Sequence, residues 1–586
     1  MNIQEYELMN MIAKDKYSNQ RKLAKKSGYS VGKVNQSLRK LIEKGYLDKE
    51  KKLTHKAVHE MKEKKPENAI ILAAGYGMRM VPINLEVPKG LLQIKGEPLI
   101  ERIICQLHKV GINKIDIVVG FMKEQYEYLI DKYNINLIFN KEYMTRNNLY
   151  SLYCVAEKLG NTYIIPCDIW CEENPFSEEE WYSWYMVTDQ CDERSSVRIN
   201  RKKELTEVKR NELGNTMIGI SYLLKKDTIF LKKRLEKYIN EKEYDQSFWE
   251  IALFGKDSMK IAAKEVKNEK VHEINTYEQL RELDCDSNHL QSDIIELICG
   301  VFDCKERDIM DIHSLKKGMT NRSFIFRYSG KQYIMRIPGE GTEKMINRKN
   351  EFLVYNRLKE MNITDPIVYI SPDNGYKITE YIEGVRVCDS TNFEDVMRCM
   401  KCLKRFHNLK LKVSHEFDLF EQLEYYEKLW KGEESIYRDY KETKKKVYSL
   451  KRYIDSQPKQ IALSHIDSVC DNFLIKDEKV YLIDWEYAGM QDVHVDIAMF
   501  GIYAMYDKKQ MDKLIECYFE ETVDEATRIK IYCYVSICGL LWSNWCEYKR
   551  ICGVEFGEYS LRQYRYAKEY YRIVKEMLEE DMTCIR

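Results

Sequence analysis

The sequence predicts a multidomain protein of α/β and α+β class, and three observations predict it. With 586 residues the chain is too long for a single hydrophobic core. Residues 67–285 alternate strand-like and helix-like hydrophobic patterns, whereas residues 293–586 open with strand patterns and continue mostly as helices. Ahead of both lies a short, lysine-rich helical stretch, residues 1–65. Lys plus Arg equals Asp plus Glu at 94 each, so no global field selects nucleic acid or a membrane. No apolar run approaches the ~18 residues of a membrane span. The polar, acidic start does not read as a signal peptide, and a cytoplasmic location is expected. Cys399 and Cys402 form a Cys-x-x-Cys without a second such pair, which favours buried thiols over a zinc site.

In residues 1–65, Leu8, Met11 and Ile12 fit one helix face and Leu23 and Ala24 a second. Gly28-Tyr29 makes a tight turn with Ser30 as N-cap. Val34, Leu38, Leu41 and Ile42 then form an apolar stripe, and Leu47 to Leu53 a small charged hairpin. This pattern resembles a winged helix-turn-helix of the multiple-antibiotic-resistance-regulator kind. The resemblance places Lys33, Gln36, Arg39 and Lys40 on the outer face. Two uses stay open: contact with double-stranded DNA, or docking within the chain.

The second segment begins with an apolar strand, Ala69 to Ala73, that runs into Gly75 and Gly77, then Arg79 and Pro88-Lys89-Gly90. Glycines let backbone N–H groups approach phosphate closely, and two fixed cations beside them suit transfer chemistry at a triphosphate. The helix after Gly96-Glu97-Pro98 and the strand Lys114 to Gly120 read as β-α-β winding, with ligands at the carboxyl ends of the strands. A further hydrophobic strand, from Thr162, ends at Asp168. The whole resembles sugar-phosphate and choline-phosphate nucleotidyltransferases of Rossmann-like fold, and more narrowly the phosphocholine cytidylyltransferases. The resemblance implies nucleotide contacts from Leu72, Ala73, Ala74, Gly75 and Gly77, catalysis by Lys89 and Arg79, and Mg2+ on Asp168. It also implies substrate contacts from Asn147, Asn148 and Tyr150, and a second Mg2+ ligand at Asp245 with Glu250 as rival. Val271 to Tyr277 resembles the closing strand and helix. Met78, Asn84 and Pro166-Cys167 depart from the family pattern, yet Lys89, Arg79 and Asp168 remain and a working site is expected.

The third segment carries His465-Ile-Asp467 and Asn472, then Ile483-Asp484-Trp485-Glu486-Tyr487 after an apolar strand. At this spacing Asp467 can orient and deprotonate an alcohol while Asn472 and Asp484 hold Mg2+ on the phosphates. The pattern resembles choline and aminoglycoside kinases, of protein-kinase-like fold. It implies a phosphate-covering turn at Lys316 to Ser323, with Asn321 and Ser323 meeting the nucleotide. Arg336 pairs with Glu351, and Glu380 and Ile382 belong to the hinge beside the base. His465 is expected to buttress the loop, and Asp492 and Asp496 to support it. Trp542 and Trp545 lie three residues apart on one helix face. Indole faces attract quaternary ammonium, and choline kinases carry a matching pair. Tyr487, one of Tyr559 or Tyr564 (Tyr564 preferred), and the charge of Glu486 complete the expected cage.

Kinase and transferase make successive steps. The resemblance implies a bifunctional enzyme using choline, ATP and CTP with Mg2+, passing phosphocholine between its sites for decoration of surface glycopolymers. The alternatives are ethanolamine or a sugar as substrate, UTP in place of CTP, or a DNA-binding regulator that uses these domains as metabolite sensors.

Overall fold

The structure is a computed structural model that describes residues 1–584 except 16, 18, 194, 209–211, 256–258, 316–320, 340, 341, 343, 521 and 553–555. Its contacts divide the chain into two units, Met1–Ser314 and Leu315–Arg586. This break falls later than the one expected between 285 and 293. Tyr277 donates to the Leu290 carbonyl at 2.9 Å, Arg281 to that of Ile309 at 2.8 Å, and Ile312 N–H to Glu278 at 3.0 Å. These bonds tie residues 290–312 to the transferase segment.

In the first unit, helices Ile3–Asp15, Gln20–Ser27 and Val31–Glu43 form the N-terminal module. Gly28 ends the second helix in the left-handed conformation, and the Ser30 hydroxyl caps the third by accepting from Lys33 N–H. Leu47 and Leu53 are bridged, as the hairpin reading requires. The module's core of Leu8, Met9, Ile12, Leu38 and Leu41 includes one outsider, Trp181 of the transferase segment. Asn161 donates to the Glu63 carbonyl at 2.7 Å and Tyr222 to that of Lys64 at 2.6 Å. The module is therefore docked on the transferase fold, while Lys33, Gln36, Arg39 and Lys40 stay exposed.

Seven described strands form one sheet, in the order Ala262–Val266, Trp184–Asp192, Gly214–Leu223, Thr162–Pro166, Asn68–Ala73, Ile115–Val119 and Asn136–Phe139. Asn68–Ala73 is buried throughout and pairs in parallel on both sides, as a near-continuous apolar run demands. Its carboxyl end and that of Thr162–Pro166 therefore open on the same edge, where the glycine loop and Asp168 meet.

The second unit begins with an antiparallel hairpin, Asn321–Tyr328 and Lys331–Pro338, followed in the sheet by Lys377–Glu380 and Ile367–Ile370. A helical body follows. Its central helix, Glu525–Ile551, has 27 residues and is buried on every side from Ile529 to Lys549, as expected of a helix passing through a core. Among the described residues no helix is long and apolar enough to cross a membrane.

Candidate active sites

In the first unit the glycine loop and Asp168 converge. Gly77 has φ +64°, so the turn uses its left-handed freedom, while a Cβ there would meet Lys89 Cβ at an ordinary 3.7 Å. Gly90 is tighter: an added Cβ would lie 3.0 Å from the Tyr126 hydroxyl and 3.2 Å from Cys167 Cβ. These turns place the Lys89 ammonium on Asp168 Oδ2 in a part-buried ion pair. Asp168 Oδ1 is buried and, among the described residues, has no hydrogen-bond partner. An unclaimed carboxylate oxygen of this kind fits a hard cation.

Asn275 is the residue that motif reading missed. Its Oδ1 accepts from Lys89 Nζ at 2.6 Å and from Arg79 Nη2 at 2.8 Å, so one neutral amide gathers both cations. The neighbouring Glu273 is raised in pKa by burial and then by the charge of Asp168. Glu250 is pushed up to about 7, chiefly by burial, with Glu273 and Asp168 adding repulsion. Glu273 and Glu250 are thus the carboxyls on which the charge of Asp168 bears. Asp245, the expected second metal ligand, instead pairs with Arg146 at 3.3 Å.

Asn147 and Asn148 also serve the fold. Asn147 caps the helix Asn148–Tyr153 and donates to the Gln246 carbonyl at 3.1 Å, and Asn148 accepts from Trp249 N–H at 2.8 Å. Together they clasp the acidic stretch to this helix, with the Asn147 amide and the Asn148 Oδ1 engaged by backbone. Tyr150 lies under the Arg146 guanidinium, 4.9 Å from it.

In the second unit one carboxylate holds the catalytic loop. Asp496 accepts from the backbone N–H groups of His465 at 2.9 Å and Ile466 at 2.7 Å, and it is bonded to His407 Nε2 at 2.9 Å. Burial lowers the pKa of His465, and its Nε2 lies 2.9 Å from the Ile483 carbonyl, so the ring acts as the expected buttress. Asn472 donates to the Asp467 carbonyl at 2.8 Å and to its Oδ2 at 3.2 Å. The Asp467 carboxyl is raised to about 8 by burial and by the charges of Asp484 and Glu486.

Arg336 pairs with Glu351 as expected and also reaches Asp484 at 2.8 Å. Ser323 stands opposite Arg336 in the hairpin. Residues 316–320 of the phosphate-covering turn lie outside the described residues. Glu380 ends its strand, and the following Tyr381 N–H bonds the Gln332 carbonyl at 2.9 Å, which fixes the start of the segment bearing Ile382.

The aromatic groups converge in part. Trp542 meets Tyr487 edge-on at 5.5 Å and Trp545 at 5.5 Å. Tyr564 is a correction: it stacks on Tyr437 at 3.8 Å, and its hydroxyl is spent on Asp439 at 2.8 Å and Thr443 at 2.9 Å. Tyr559 takes its place in the chain of rings through Phe556 and Trp545, and feels the charge of Asp467. Glu486 is a second correction. Its Oε2 is shared by Asn321 at 3.1 Å, Arg348 at 3.3 Å and Arg336 at 3.6 Å, so two guanidinium groups offset the charge expected to face the cage.

Three family models match the chain: winged helix-turn-helix DNA-binding over residues 1–48, MobA-like NTP transferase domain over 69–175, and choline/ethanolamine kinase over 312–537. The choline-phosphate cytidylyltransferase of Streptococcus pneumoniae is 33% identical over 222 residues, which are 37% of this chain and 96% of that one. Protein LicA of Haemophilus influenzae is 26% identical over 262 residues, 42% of this chain and 96% of that one. The crystal structure of choline kinase LicA from Streptococcus pneumoniae aligns with 29% identity and a TM-score of 0.42, covering 48% of this chain and 97% of that one.

The raised Asp467 carboxyl has a stability consequence. Its proton is bound in the folded state up to about pH 8 but released above about 4 when unfolded, so stability falls as pH rises between the two. Asp467→Asn should therefore raise the melting temperature at pH 8–9, with little change at pH 4, as read by thermal unfolding. A variant less stable at pH 9 would contradict the buried-charge account.

Through its first unit the chain belongs to the choline-phosphate cytidylyltransferase family, and with a choline/ethanolamine kinase domain in the same polypeptide it is a nucleotidyltransferase and a kinase in one enzyme.

Proposed function

We propose that the chain makes activated choline in two steps. In the second unit choline and ATP give phosphocholine and ADP. In the first, phosphocholine and CTP give CDP-choline and pyrophosphate, a donor for phosphocholine decoration of surface glycopolymers. The observation that carries this reading is the ring set of Trp542, Trp545 and Tyr487, in the unit that also holds Asp467. A methylated ammonium on a desolvated indole gains about 2 kcal/mol or more. A primary ammonium would draw more from a free carboxylate, and Glu486 is already engaged by arginines. The cytidylyltransferase relative supports CTP and phosphocholine for the first unit.

Mg2+ would be held by Asp168, with Glu273 or Glu250, in the first unit and by Asn472 with Asp484 in the second, and would supply positive charge to the phosphate oxygens. Asp467 takes the hydroxyl proton of choline as its oxygen bonds to the γ-phosphorus and ADP departs. In the first unit a phosphate oxygen of phosphocholine attacks the α-phosphorus of CTP and pyrophosphate leaves. Lys89 and Arg79 stabilise the charge that grows there, with Asn275 holding both in reach without neutralising either. Asp467→Ala should lower phosphocholine formation by about a hundredfold or more while leaving the use of supplied phosphocholine intact, and Lys89→Ala should do the reverse. Loss of both steps in either variant would reject separate sites.

The N-terminal module supports a second role, contact with double-stranded DNA. Lys33, Gln36, Arg39 and Lys40 are exposed on the face turned away from the module's core, and the matched family model is of a DNA-binding kind. Binding of the full chain to a labelled duplex should weaken with salt, and Arg39→Ala with Lys40→Ala should lower the salt slope by about one for each phosphate no longer neutralised. An unchanged slope would leave docking on the transferase as the module's only role.

A further inference from the structure

The transferase fold brings positive charge of its own to the exposed basic face of the N-terminal module. Its strands Val197–Ile199 and Leu205–Glu207 pair antiparallel, and the turn between them reads Asn200-Arg201-Lys202-Lys203-Glu204. The turn is firmly built. Asn200 Oδ1 accepts from Lys202 N–H at 2.7 Å and from Glu204 N–H at 3.0 Å, and Lys203 takes the left-handed conformation at φ +62°. Ala263 N–H donates to the Lys203 carbonyl at 2.8 Å, which fixes the turn to the edge strand of the seven-stranded sheet. Lys203 then reaches the module. Its Nζ lies 3.2 Å from Glu7 and 5.1 Å from the centre of the Tyr29 ring. Lys33, at the start of the helix Val31–Glu43, lies 5.3 Å from the centre of the same ring. One tyrosine therefore joins a transferase lysine to a lysine of the module's outer helix.

Arg201, Lys202 and Lys203 are exposed, as are Lys33, Arg39 and Lys40. Among the described residues the Arg201 and Lys202 side chains enter no hydrogen bond or ion pair, so docking of the module makes no use of them. Two ammonium groups at one ring repel, and Glu7 is bonded to only one of them. A line of phosphates along this face would relieve the repulsion. In duplex recognition a helix enters the groove while flanking basic side chains hold the backbone. We propose that the turn at residues 200–204 is the second half of the duplex-binding surface, with Arg201 and Lys202 on phosphates beside the groove that takes the helix Val31–Glu43. The proposal rests on the reading of the module as a duplex-binding element, and goes beyond it by placing part of that surface in the enzyme itself. Phosphate contacts carry no sequence information, so the turn sets affinity and register while the helix keeps the choice of bases.

The test is binding of the full chain to a labelled duplex of mixed sequence, about two helical turns long, over a series of salt concentrations. Wild type is compared with Arg201→Ala with Lys202→Ala, with Arg201→Lys, and with Arg39→Ala with Lys40→Ala. Loss of Arg201 and Lys202 should weaken binding and lower the slope of log affinity against log salt by about two, one for each phosphate no longer neutralised. Arg201→Lys keeps the charge and should hold the wild-type slope. Both turn variants should convert supplied phosphocholine and CTP as wild type does, since the turn holds no catalytic group. A slope unchanged by loss of Arg201 and Lys202 but lowered by loss of Arg39 and Lys40 overturns the proposal and leaves the duplex reading of the module standing. A slope unchanged in both rejects that reading, and the proposal falls with it.

Discussion

In each unit a fixed cation closes on the carboxylate assigned to the metal: Lys89 on Asp168, and Arg336 on Asp484. Polyphosphate chemistry asks for several carboxylates at one place, and such groups repel one another when buried. Both units meet that constraint in the same two ways. Part of the negative charge is offset by lysine or arginine. The rest is held back by retained protons, with Asp467 raised to about 8 and Glu250 to about 7. Positive charge arriving with a nucleotide complex relaxes both arrangements, since it favours ionised carboxyls and gives the fixed cations phosphate oxygens to hold.

The scaffolds position these groups by different means. In the first unit, parallel pairing of Asn68–Ala73 with Thr162–Pro166 brings the glycine loop and Asp168 to one sheet edge, and Asn275 closes the gap from a residue far along the chain. In the second, Asp496 holds the catalytic loop by its backbone while the hairpin carries Arg336 to Asp484. The Arg336–Glu351 pair is deeply buried, and removal of one partner would leave an uncompensated charge, which costs more than the pair gains.

Groups that lie within a few residues of each other are legible in the sequence. Gly77, Arg79 and Lys89 share one loop, and Asp467 and Asn472 share another, so local spacing alone brings them together. The Arg336–Glu351 pair follows the same logic across a strand and the next helix. The rest depends on contacts that spacing does not encode. Asn275 reaches Lys89 across 186 positions, and no local pattern marks it except its place in the closing strand-to-helix turn. Asp245 sits in an acidic stretch that reads well as a metal site, but Arg146 claims it from another element. Tyr564 and Tyr559 are equally plausible on their helix until Tyr437 and Asp439 are seen to hold the former. The polar stretch Asp284 to His289 reads as a domain boundary, yet Tyr277 and Arg281 anchor the residues beyond it.

The central claim is that one polypeptide holds two complete polyphosphate sites, the second supplying the substrate of the first. The most direct measurement is phosphorus NMR of the purified full chain with choline, ATP, CTP and Mg2+, following every phosphorus species over time. The account predicts a transient phosphomonoester signal of phosphocholine, then the diphosphodiester of CDP-choline with matching pyrophosphate. Phosphocholine that accumulates while CTP persists, or CTP consumed without choline, would contradict it.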